Sequence, residues 1–109
     1  MIKPTASFKE NLQQLPSIDD LTRIDLVDQA GAVHASIENL PGKQGSLAVY
    51  QYLHGIFGTI DATAAAHGLA VFAEHTSDAK NRPGAHPNID ILLDIVNGGT
   101  TLNTRPFSN

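Results

Sequence analysis

Apolar positions along this chain recur with two periods, and the switches between them mark the elements. Phe8, Leu12 and Leu15 fall at i, i+4 and i+7, one stripe of a short helix. Ser7 followed by Glu10 fits a capping box at its start, and Pro16 ends it. Residues 22–28 and 32–38 then alternate like strands. If Asp28, Gln29, Ala30 and Gly31 form a four-residue hairpin loop with Gly31 left-handed, Leu26 faces Val33, Ile24 faces Ala35 and Thr22 faces Ile37 on one side. Asp25 then faces His34, and Arg23 faces Ser36, on the other. One side is apolar and the other polar, as a period of two requires. The polar assignment puts His34 on a solvated face beside Asp25.

Residues 47–57 break the pattern, because Leu47, Val49, Tyr50, Tyr52, Leu53, Ile56 and Phe57 are apolar nearly all round a helix. Such a helix is buried on more than one side, here by the sheet and by a second subunit. Ser46 is its expected N-cap, Gly55 its expected close contact and Gly58 its C-cap. Asp61 opens an Ala-rich helix that runs to His67, where a histidine complements the dipole, and Gly68 stops it. Residues 69–74 read as a central strand: Leu69, Val71 and Ala73 point one way, Ala70 and Phe72 the other. Placed parallel to the strand of Ile37, it completes a right-handed crossover. A loop broken by Pro83, Gly84 and Pro87 follows. Asn88 caps a last helix with the stripe Ile89, Leu92, Leu93 and Val96, and Gly98 with Gly99 ends it. Residues 100–109, with Pro106, form an edge strand, a tail or an arm that pairs with another chain. The expected fold is α+β: one two-layer domain over residues 1–109, with a three- to four-stranded mixed sheet in the order α-β-β-α-α-β-α and an optional final strand.

Composition narrows the function classes. The 109 residues suffice for one modest core, and 41% hydrophobic with 17% charged residues is a globular balance. Cysteine is absent, which excludes disulfides, thiolate zinc sites and cysteine nucleophiles and suits a reducing compartment. Lys9 and Glu10 interrupt any signal-like start, and no window holds the roughly 20 apolar residues of a membrane span. The expected location is the cytoplasm, with no membrane partner. Net charge is −4 and the seven Lys/Arg residues are scattered, which argues against nucleic acid.

Candidate chemistry gathers in two loops, Pro41 to Ser46 and His75 to Asn88. In an open α/β arrangement both would leave the carboxyl ends of parallel strands and share one rim. Lys43, Gly45, Ser46, His75, Asp78, Arg82 and His86 form the candidate ligand-binding set. Gly42 and Gly45 let backbone approach a ligand, and free amides at the following helix start favour a small anion, with Lys43 adding charge. The stretch GKQGS does not match the phosphate-loop order GxxxxGK[ST], and a merely tight connection made by Pro41 and the glycines is the favoured explanation. His75, Asp78, His86 and Asp90 offer mixed metal ligands, but their spacing matches no zinc motif and no metal site is assigned. Glu74 and His75, consecutive in a strand, would diverge. Acid–base chemistry would pair His75 with Asp78 or His86 with Asp90. No serine sits in an elbow motif, so no catalytic residue or cofactor is assigned.

Three stretches together carry a resemblance: ENLPGKQGSLAVY (38–50), GLAVFAEHTSDAKNRPGAHPNID (68–90), and the first helix before PSID (16–19). The chain resembles a family of small bacterial proteins known as domain of unknown function 2322. The resemblance implies a bacterial, stand-alone cytoplasmic protein, and it carries over no catalytic residues. Two functional readings follow. The first is a self-associating binding or interaction module, supported by the all-round apolar helix and the C-terminal arm. The second is a small enzyme, or an anion- or metal-binding protein, that uses the rim between the two loops.

Overall fold

The computed structural model describes residues 1–108. Its elements are α1 (Phe8–Leu12), β1 (Leu21–Val27), β2 (Val33–Glu38), α2 (Gln44–Phe57), β3 (Thr59–Ile60), α3 (Ala62–Phe72), α4 (Glu74–Asn81), α5 (Pro87–Val96) and β4 (Leu102–Ser108). The fold is α+β, as expected. The sheet runs β2-β1-β4-β3 and every pairing is antiparallel, so it is not mixed.

The correction comes from residues 69–73, which form the second half of α3 rather than a strand. Ala64, Ala65, Gly68, Val71 and Phe72 are its buried positions, a helical stripe that runs straight through Gly68. Without a parallel strand there, the expected crossover does not form. Gly68 does not stop the helix. A Cβ at that position would lie 2.9 Å from Cδ1 of both Leu53 and Leu92. Glycine is required because α2 and α5 approach α3 this closely. Gly55, expected to make such a contact, has open space around it. The true break comes at Ala73, with φ +53° and ψ −119°, after which the chain starts α4 inside the expected loop.

The hairpin keeps its faces but shifts its register by two. Ile24 pairs with Ile37, Leu26 with Ala35, Asp25 with Ser36 and Arg23 with Glu38. One residue enters through a three-residue loop: the Asp28 amide donates to Ala32 O, the Gly31 amide donates to Asp28 O, and Gly31 adopts φ +89°. The other enters at a bulge between Leu26 and Val27. An even shift returns each side chain to its own face, so the polar/apolar division survives. His34 is exposed and Ser36, not His34, bonds Asp25, at 2.7 Å. Burial alone would raise the Asp25 pKa, but the bonds from Ser36 and Arg23 and the charges of Arg23 and Arg105 outweigh it and lower it.

The C-terminal segment is neither tail nor arm. It is β4, between β1 and β3. Because β3 reaches only Leu102 and Asn103, the later part of β4 has one open side, where Pro106 leaves no amide unsatisfied. Helix α2 packs against the strands on one side and against α1 and α3 on the other. Leu47, Val49, Tyr50 and Leu53 are wholly buried, so most of its apolar surface is covered within one chain, while Ile56 near its end is exposed. It begins at Gln44, before Ser46, with Lys43 at the N-cap position. Helix α5 begins at Pro87 with His86 at the N-cap position, so Asn88 lies inside the helix. His67 is mid-helix and caps nothing: its Nε2 is hydrogen-bonded to the Tyr52 hydroxyl at 2.7 Å, which also accepts from the Ile2 amide at 3.0 Å.

Two N-caps stand where the sequence places them. Ser7 Oγ accepts from the Glu10 amide of α1, and Asp61 Oδ1 from the Ala64 amide of α3. The return half of the first box is relayed. The Ser7 amide donates to Thr5 Oγ1, which donates to Glu10 Oε2 at 2.8 Å. Asn11, a buried polar residue in α1, donates to the Thr5 and Val71 carbonyls at 3.0 Å each and accepts from the Thr5 amide. It ties the N-terminal segment to the end of α3 without leaving a buried polar atom unmatched.

Candidate functional site

Four helix starts gather beside β2, the edge strand of the sheet. Between them lies a cleft of about 580 Å3. Phe8 opens α1, Gly45 and Ser46 lie in the first turn of α2 behind Gly42 and Lys43, His75 is the second residue of α4, and His86 precedes α5. Phe72, Ala35, Pro87, Ile89 and Ile91 supply further apolar wall, and Asn88 and Ser36 further polar wall.

Aromatic contacts fix the floor. Phe8 stacks on Phe72 with centroids 5.3 Å apart, and His75 meets Phe8 edge-on at 5.1 Å. Gly45 lets the Phe8 ring in, since a Cβ there would be 3.1 Å from its Cε2. The turn at Ala73 aims α4 so that His75 enters the cleft while Glu74 turns to α1. Glu74 accepts the Phe8 amide at 2.7 Å, and this bond, followed by one from its own amide, lowers its pKa. The two neighbours thus diverge, on a helix start rather than a strand.

His86 lies 5.7 Å from His75, centroid to centroid. Its Nε2 is 2.6 Å from Asp78 Oδ2. Asp78 also receives Arg82 through Nε at 2.9 Å and through Nη2. The bonds from Arg82 first and His86 second hold the Asp78 carboxyl well below the usual carboxylate range. An ionised carboxylate only accepts, so Nε2 carries the proton toward Asp78. Nδ1 is left without a protein partner among the described residues. The pairs expected from sequence, His75 with Asp78 and His86 with Asp90, are replaced by His86 with Asp78. Asp90 accepts the Gly84 amide instead, at 3.0 Å.

Of the seven candidate residues, Lys43, Gly45, Ser46, His75 and His86 line the cleft, while Asp78 and Arg82 do not line it and reach it only through their bonds to and beside His86. The two loops share a rim, but not for the reason expected. They meet because helix starts converge, not because parallel strands end there. Sequence reasoning missed Phe8, Phe72 and Asn88. From the sequence Phe8 reads as part of a structural helix, Asn88 as a cap and Phe72 as a strand residue.

Ser7 and Asp61 cap α1 and α3, and α4 and α5 carry Glu74 and Asp90 in their first turns, whereas α2 has neither a side-chain cap nor an acidic residue there, so its positive end remains unneutralised at the cleft. Lys43 adds a charge, while His86, with its Nε2 proton directed at Asp78, offers Nδ1, which donates only in the doubly protonated ring. Among the described residues no carboxylate lines the wall, in a chain of net charge −4. The possible metal-ligand set is not assembled, since His86 Nε2 engages Asp78 and Asp90 turns to Gly84.

A family model described as an uncharacterized protein conserved in bacteria, domain of unknown function 2322, matches residues 8–106. The chain belongs to that family. No curated protein and no solved structure matches it. Among the described residues no helix is long and apolar enough to cross a membrane.

Proposed function

We propose that this protein binds a small organic anion in the cleft where α1, α2, α4 and α5 begin. One observation carries the reading: Lys43, His75 and His86 converge on an apolar-walled cavity that, among the described residues, no carboxylate lines. The anionic group sits against Lys43 and the uncapped start of α2, and the apolar part lies on Phe8, Phe72 and Ile89. Asp78 and Arg82 orient His86 and touch no ligand. The cysteine-free composition suits work in the cytoplasm.

The test is thermal shift and amide NMR of the whole protein with inorganic phosphate and with short- and medium-chain carboxylates. At least one anion is expected to perturb Lys43, Ser46 and His86. Lys43→Ala should weaken that binding about tenfold, the scale of one charge-assisted hydrogen bond. Flat titrations with every anion, or equal affinity in Lys43→Ala, would remove the proposal.

A second reading, self-association, rests on a different surface from the one first expected. Most of helix α2 is covered, but β2 is an open edge, and Val33 on it is 54% exposed. Edge-to-edge pairing of two copies would use both features. Sedimentation equilibrium that finds only monomer across a wide concentration range would eliminate it.

A further inference from the structure

A second cavity, of about 370 Å3, adjoins the cleft, and Ile91 lines both. Both also border β2, the first at Ala35 and Ser36 and the second at His34. Together they form a trench between the edge strand and α5. Its two ends differ in charge. Lys43 and the two histidines stand at one, while Asp28 and Asp94 stand at the other, near the β1–β2 hairpin. The Asp28 carboxylate is partly engaged, as Oδ1 accepts the Ala30 and Ala32 amides at 2.9 Å each. The Asp94 side chain has no hydrogen-bond or ion-pair partner among the described residues, which leaves its charge open to the trench.

We infer that this trench receives the C-terminal end of an extended peptide, which adds to β2 as a further strand. The inference rests on the proposed anion site and names its ligand: the anion is a chain-terminal carboxylate. Three features select this occupant over a compact anion. An edge strand offers a row of free backbone donors and acceptors, which only an extended backbone can match. The polarity of the trench asks for a negative group at the Lys43 end and a positive one at the Asp94 end. An anion alone leaves the second cavity unused. The direction also follows. With its carboxylate by Ser36 and its basic residue by His34, the peptide runs parallel to β2, since that strand runs from Val33 to Glu38. Strands rise roughly 3.3 Å per residue, so a tetrapeptide is long enough to pass from His34 to Ser36.

The probe is the tetrapeptide Lys-Ala-Val-Leu with a free carboxylate, set against its C-terminal amide, against Glu-Ala-Val-Leu, and against hexanoate. Binding to the full chain is followed by calorimetry and amide NMR. The free acid should perturb residues 33–38 together with Lys43 and Asp94. It should bind at least about tenfold tighter than the amide, as expected when a charge-assisted bond is lost. Asp94→Asn should remove the preference for the Lys peptide over the Glu peptide while leaving hexanoate binding unchanged. If hexanoate binds and the tetrapeptide binds no tighter, with β2 unperturbed, the peptide inference fails and the anion reading stands. If neither perturbs the cleft, both fail. If β2 signals move with protein concentration and not with peptide, a second copy is the occupant and the inference is overturned.

Discussion

Helices α2, α3 and α5 meet at one end and part at the other. Around Gly68 they are so close that not even a methyl group fits between Leu53 and Leu92. Nearer their starts, α2 and α5 are joined by the Tyr50 hydroxyl, which donates to Asn88 O at 2.6 Å, and beyond that bond they open into the cleft. Both regions depend on groups that are missing. At the closed end a missing Cβ lets three helices touch and fill space with dispersion contacts. At the open end missing side-chain caps leave backbone donors and helix dipoles for something else to satisfy. The first absence contributes to stability, while the second withholds some and makes a site.

The largest effect should come from filling the closed end. Gly68→Ala should lower unfolding free energy by about 1–2 kcal/mol, the cost of displacing the packed Leu53 and Leu92 methyls less the roughly 0.5–1 kcal/mol that alanine gains over glycine in a helix. Urea titration reads it, and anion affinity of the folded protein should hold. Unchanged stability would mean the helices are not in close contact there.

The joint between the two regions comes next. Ala73 holds a backbone conformation natural only to glycine, and strain of that kind costs on the order of 1–3 kcal/mol. Ala73→Gly should therefore stabilise the protein by about 1 kcal/mol once the extra chain entropy of glycine is subtracted. A loss of stability instead would show that the turn is unstrained.

The smallest effect separates the two histidine environments by pH. Burial, and then the nearby N-terminal ammonium, lower the His67 pKa below its ordinary value. The unfolded chain then binds the proton more readily than the fold does. Stability from this group is complete above about pH 6.5 and falls as pH drops through the folded value. His67→Gln should flatten that part of the profile. Asp78 has the same sign but a lower window, since its depressed pKa places its contribution above about pH 4, lost in stronger acid. Asp78→Asn should leave the mildly acidic slope intact and alter anion binding through His86. If both variants flatten the same slope, the distinction between a packing histidine and a site histidine collapses.

Local signals decided much of this molecule on their own. Ser7 and Asp61 cap the helices they precede, because a cap needs only a short polar side chain and the next few amides. The hairpin divided its polar and apolar faces correctly because the period of two is indifferent to an even slip of register. Lys43, His75 and His86 were legible as site candidates by residue type. Tertiary structure decided the rest. Leu69 to Ala73 is apolar under either period, so only the contact of Gly68 with Leu53 and Leu92 makes it helix. Which carboxylate meets His86 depends on where α4 is aimed, and a single backbone turn at Ala73 sets that aim. The cleft is a space between four helix starts, and no local pattern encodes a distance between elements separated along the chain.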